Sequence, residues 1–202
     1  MSEIKRIVDF FFELGQLAST PRRGFALLGT GPQNVAEHSY RTALIGFVLA
    51  RCQPETNPWR VAWMCLIHDL PETRITDLDP LAKRYVQVDA DRALAEQILG
   101  LPGESDFAQA WREYSTADSV EAVLAHDADL LELLLTLREQ ESRGQIRASD
   151  WLERTVDRLQ SPAAKALAEG IIGGDPSHWW ESISLPPSAH RSPPPAEGNE
   201  AW

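Results

Sequence analysis

The sequence predicts an all-α domain, on three observations. Apolar residues recur at three- and four-residue intervals through most of the first 172 positions, Pro and Gly punctuate these segments at ordinary helix lengths, and no stretch alternates as a half-buried strand would. At 202 residues the chain suffices for one well-cored domain. We place that domain at 1–184 and a flexible, disordered Pro-rich C-terminal tail at 185–202.

Taken in order, residues 3–18 carry Ile4, Ile7, Val8, Phe11 and Leu14 at helical spacing, an amphipathic stripe expected to face a core. The stretch TPRRGFALLGTGPQN, with two prolines and three glycines, reads as a loop. Val35 to Cys52 returns the helical period through Tyr40, Ala43, Leu44, Phe47 and Val48, with Ile45 and Leu49 widening the face, and should be largely buried. Pro58 suits the first turn of a further helix, whose segment VAWMCLI is apolar nearly all round and marks a central element. Leu81–Leu99 and Phe107–Tyr114 read as helices, the first ended by Gly100 and Pro102. Val120 to about Gln140 is the longest Leu-rich helix, and 149–172 supply one or two more, with Pro162 at a start and Gly173–Gly174 as a stop. The closing LPPSAHRSPPPAEGNEAW has little to bury, and its deletion should be harmless.

Composition narrows function. Nineteen basic against thirty acidic residues give a formal charge of −11, which repels a phosphate backbone and argues against long nucleic acid as a partner. A small anionic substrate stays compatible, because a bound cation or one arginine can invert the potential within a pocket. Cys52 and Cys65 read as two buried free thiols. No run of about 20 apolar residues could cross a membrane and the N-terminus lacks a signal-peptide pattern, so a cytoplasmic protein is expected.

The chemistry-bearing residues cluster in a telling way. His38, His68 and His126 fall on apolar helices, and His68 is followed by Asp69, Glu72 and Asp77 at the end of an otherwise apolar helix. Unpaired carboxylates are costly to bury there. A divalent cation resolves that cost, since imidazole nitrogens and carboxylate oxygens are its natural ligands. His38 lies in NVAEHSYR, and a further carboxylate can come from HDAD at 126–129, so different helices would deliver the ligands.

These motifs, EHS at 37–39, HDLPE at 68–72 and HDADLLE at 126–132, with PRRGF and TDL, resemble the HD-domain superfamily of metal-dependent phosphohydrolases, most closely its 5′-deoxyribonucleotidase branch. The likeness spans roughly residues 4–160. It implies an HD-domain helical bundle of about eight or nine helices around a central metal site. It makes His38, His68, Asp69 and Asp129 the metal ligands, Glu72 the group handling the proton of the attacking water, and Asp77 a catalytic or sugar-holding residue. Arg22 would clamp the phosphate, with Arg23 as its competitor and Phe25 beside them. One divalent ion is implied, Mn²⁺ or Co²⁺ favoured over Mg²⁺, Zn²⁺, Fe²⁺ or Ni²⁺, and so is a homodimer.

Two positions depart from the family pattern: Thr76 stands where a glycine is usual, and Phe25 where a tryptophan is. Periodicity turns Asp127 inward, whereas the family spacing selects Asp129. His126 fits either a substrate contact or a packed side chain. The expected activity is release of phosphate from (deoxy)nucleoside 5′-monophosphates. The alternatives are hydrolysis of nucleoside triphosphates or another small phosphate ester, and a metal-stabilised interaction module without catalysis.

Overall fold

The computed structural model describes residues 2–31 and 33–181; the proline-rich tail placed at 185–202 lies outside the described residues. Eleven α-helices appear among them: α1 (Glu3–Leu14), α2 (Gly24–Leu28), α3 (Val35–Arg51), α4 (Pro58–Ile67), α5 (Glu72–Ile75), α6 (Ala90–Ile98), α7 (Glu104–Thr116), α8 (Val120–Ser142), α9 (Ala148–Val156), α10 (Pro162–Gly173) and α11 (His178–Glu181). No strand forms among the described residues; one isolated antiparallel bridge pairs Pro21 with Asn34.

Local chemistry sets the helix starts. Asn34 accepts from the Glu37 N–H while Glu37 reaches back to the Asn34 N–H, a capping box that opens α3. Asn57 caps α4 with Pro58 inside its first turn, Asp89 caps α6, Ser119 caps α8, and Ser161 with Pro162 opens α10. The three central helices are α3, α4 and α8, packed on one another. Val61, Met64, Cys65 and Ile67 of α4 meet Leu124, Leu131, Leu134 and Leu137 of α8, all essentially without solvent exposure. Gly46 lets α3 approach: a Cβ there would lie 2.7 Å from the Cys65 Sγ.

Several expectations need correction. In α1 the buried residue is Phe10, packed edge-on against Phe107 of α7, while Ile4 and Phe11 of the anticipated stripe are 75% and 63% exposed. The helix is apolar on more than one face, and the neighbour rather than the period chooses among them. In α3 the centre of the expected stripe is likewise outside: Tyr40, Leu44 and Val48 are exposed, Ala43 and Ile45 are half-buried against the core, and the buried face is Val35, His38, Ser39, Thr42, Gly46, Leu49 and Ala50. Small and polar residues face inward there because α4 comes close and the polar site lies on that side. Leu81–Leu99 is not one helix. A short 3₁₀ turn at Ala82–Arg84 is followed by an extended stretch, with Val86 and Val88 exposed, before Asp89 caps α6. The turn-rich stretch before α3 holds the five-residue α2, and Cys52 is exposed rather than buried.

Candidate metal centre and active site

Four segments converge where the start of α3 and the end of α4 meet the middle of α8. His38 lies in the first turns of α3, fully buried, where the capping box has fixed the helix entry. His68 ends α4 and Asp69 follows in the turn before α5. Asp129 comes from α8. Arg22 comes from the segment before α2, which is pinned by the Pro21–Asn34 bridge and by the Arg22 N–H donating to the Gln33 carbonyl at 2.8 Å.

The two imidazoles are oriented from behind. The Cys65 carbonyl, which can only accept, lies 2.7 Å from His68 Nδ1, so that nitrogen carries the hydrogen. Glu132 Oε2 takes the same role toward His38 Nδ1 at 2.6 Å. Both Nε2 atoms are thereby turned toward each other, 3.3 Å apart. Asp69 Oδ2 lies 3.2 Å from His68 Nε2 and 3.6 Å from His38 Nε2, and Asp129 Oδ1 lies 3.1 Å from His38 Nε2. Ligand atoms of His38, His68 and Asp69 all fall within 4.8 Å of one another.

This donor set fits a divalent cation. His38, His68 and Asp69 bring two nitrogens and a carboxylate oxygen together, Asp129 Oδ1 joins them beside His38 Nε2, and each imidazole donates its Nδ1 hydrogen to an oxygen, the arrangement that fixes tautomer and raises ligand basicity. The electrostatics agree. Burial alone disfavours a charged His38, but its bonds to Asp129 and Glu132 outweigh burial and push it up to about 9. The carboxylates that attract a proton to Nε2 attract a cation equally well. Burial would raise Asp129 and Glu132, yet His38 holds Asp129 well below the usual carboxylate range and, with Arg41 and Gln33, pulls Glu132 down to about 2.

Around the cluster is a cavity of about 460 Å³ lined by Arg22, Phe25, Glu72, Asp77, Tyr114 and Trp151, among others. Arg22 Nη1 donates to Asp69 Oδ2 at 3.2 Å and Nη2 lies 3.9 Å from Asp129 Oδ1, so the guanidinium spans two of the candidate ligands. Despite burial, Asp69 and Asp129 raise its pKa further, and it stays charged. Among the described residues, Glu72 Oε2 is buried without a hydrogen-bond partner. Burial, then Asp69 and Asp77, push its pKa up to about 9, against the pull of Arg22 and Lys83. Asp77 Oδ2 accepts from the Arg23 backbone N–H at 2.7 Å. Arg23 thus contributes its main chain, and its side chain is not among those lining the cavity. Thr76 takes φ 64° and ψ 160°, a conformation natural to glycine, where the family pattern has one.

Asp127 turns elsewhere. Its two oxygens accept from the Gln160 and Ser161 backbone N–H groups at 2.8 and 2.7 Å, where the chain enters α10. His126 stacks on Tyr114. Gln33 and Arg41 have no role in the sequence reading, and Glu132 enters it only as one of the small or polar residues on the face of Asp129. The available signal was spacing: Glu132 lies one turn after Asp129, and Arg41 one turn after His38.

Comparison with known proteins gives this arrangement its family. The HD domain profile matches residues 14–170. The chain belongs to the HD domain family. Among relatives of this HD-domain chain, 5′-deoxynucleotidase HDDC2 of Dictyostelium discoideum is 27% identical over 178 residues, covering 80% of this chain and 94% of that protein. The fission yeast 5′-deoxynucleotidase hdd1 is 28% identical over 193 residues, covering 88% and 93%. Among solved structures, a conserved hypothetical protein from Pyrococcus furiosus superposes with a TM-score of 0.67 at 28% identity, covering 81% and 98%. A predicted metal-dependent phosphohydrolase from Magnetospirillum magnetotacticum gives 0.66 at 24%, covering 85% and 91%, a likeness of fold.

Proposed function

We propose that this HD-domain chain is a 5′-nucleotidase that releases phosphate from (deoxy)nucleoside 5′-monophosphates. The observation that carries the reading is the convergence of His38, His68, Asp69 and Asp129 beside Arg22 and Glu72, all of them lining one cavity except the fully buried His38. The names of the relatives supply the substrate class.

His38, His68, Asp69 and Asp129 would hold one divalent cation, Mn²⁺ or Co²⁺ fitting a mixed nitrogen and oxygen set with open positions. Such an ion supplies Lewis acidity, lowering the pKa of water and polarising a phosphoryl oxygen. Arg22, charged and anchored to Asp69, orients the phosphate and offsets its charge. Glu72 is basic enough, once ionised, to take the proton of the attacking water, and the cation favours its ionised form. Asp77, which accepts from the Arg23 N–H and lines the cavity, would bind the sugar or assist the proton transfer. Phe25, Leu130, Leu133 and Trp151 give the cavity an apolar side that suits a nucleoside.

Lys83 and Arg158 line the same cavity and favour a second reading, hydrolysis of a triphosphate or another small phosphate ester. Phosphate release from nucleoside mono- and triphosphates and phenyl phosphate, with Mn²⁺ or Co²⁺ added to chelator-treated protein, separates the two. Monophosphate turnover lost in Glu72→Ala and Asp69→Ala is the expected result; turnover of triphosphates alone would reverse it. We further propose a homodimer formed through the exposed Tyr40, Leu44 and Val48 of α3, beside Trp59, which is 74% exposed.

A further inference from the structure

We propose that the Tyr114 hydroxyl is a substrate contact that donates a hydrogen bond to a phosphoryl oxygen of the bound ester, an inference that rests on the phosphohydrolase reading. Tyr114 comes from α7 and lines the same cavity as Arg22, His68, Asp69 and Asp129. Its ring is held on two sides. It stacks on His126, with centroids 4.0 Å apart and planes at 28°, and lies 5.3 Å from the His68 ring. His126 Nε2 also donates to the Tyr114 carbonyl at 2.8 Å, tying α7 and α8 together at this residue. The ring is therefore positioned before any ligand arrives.

Tyr114 is half-buried, and among the described residues its hydroxyl has no hydrogen-bond partner. A phenol keeps its proton at neutral pH and is available as a donor. The cavity already holds Arg22 and the candidate cation site. A neutral donor there adds a directed bond to an anionic oxygen without adding charge.

Tyr114→Phe keeps the ring and its stack and removes only the oxygen. With metal-loaded protein, kcat/KM should fall about ten- to hundred-fold on both a nucleoside 5′-monophosphate and phenyl phosphate, the loss expected for one hydrogen bond to a charged group. Metal content and melting temperature should match wild type. Loss confined to the nucleotide would put the hydroxyl on the nucleoside and overturn the assignment, as would unchanged kinetics. Calorimetric binding of inorganic phosphate reads the contact separately from turnover. Weaker binding to the variant supports it and equal binding overturns it, even if wild type hydrolyses none of the esters, a result that would count against the nucleotidase reading instead.

Discussion

Asp127 and Asp129 stand two positions apart on α8, and at roughly 100° per residue that separation puts them on nearly opposite faces. Asp127 is fully buried and accepts two backbone N–H groups at the start of α10; Asp129 faces His38. Replacing each by alanine should separate structure from chemistry. Asp127→Ala should cost about 1–3 kcal/mol, because two donors lose their acceptor, and leave metal content unchanged. Asp129→Ala should lose metal and turnover while folding. Denaturant unfolding and metal analysis of both variants check this. Periodicity correctly turned Asp127 inward, but it had no means of seeing that α8 has two interiors, one apolar and one polar. Thr76 shows a similar limit, since nothing local in a threonine announces the positive φ that the approach to Asp77 requires.

At the scale of elements, the close pairing of α3 with α4 depends on one missing methyl. A Cβ on Gly46 would meet Cys65 Sγ at 2.7 Å and Val61 Cγ1 at 3.1 Å. Gly46→Ala gains about 1 kcal/mol of helix propensity but adds overpacking of about 1–3 kcal/mol, so net destabilisation is expected. Cys65→Ala in the same chain should recover part of the loss, and a double-mutant cycle in denaturant measures the coupling. A second joint links α1, α5 and α6 through Glu13, which accepts from Arg74, Thr73 and Gln97. Burial would raise its pKa, but these bonds outweigh burial and hold it below 4.5. The folded pKa is therefore the lower one. The joint stabilises fully above 4.5 and is lost as pH falls through the depressed value. The stability gap between wild type and Glu13→Gln should accordingly shrink on acidification below 4.5, as followed by unfolding at a series of pH values.

For the molecule as a whole, α3 serves two surfaces: its polar and small side builds the site, and its apolar side faces out. If that outer face joins two copies, Leu44→Glu should shift the mass seen by light scattering from dimer to monomer with helicity unchanged; a monomeric wild type would remove the proposal. The sequence by itself determined the helical class, the positions of the capped starts of α3, α4, α8 and α10, and the convergence of His and Asp motifs that resembles the HD domains. These are legible because caps, prolines and short motifs act within a few residues. Only the tertiary structure decided which apolar face of α1 and α3 is inside, that the Arg23 backbone N–H holds Asp77, that Glu132 orients His38, and that Tyr114 reaches the cavity. Each of those depends on contacts between segments far apart in the chain, and a helix that is apolar on more than one face carries no local mark of which neighbour will cover it.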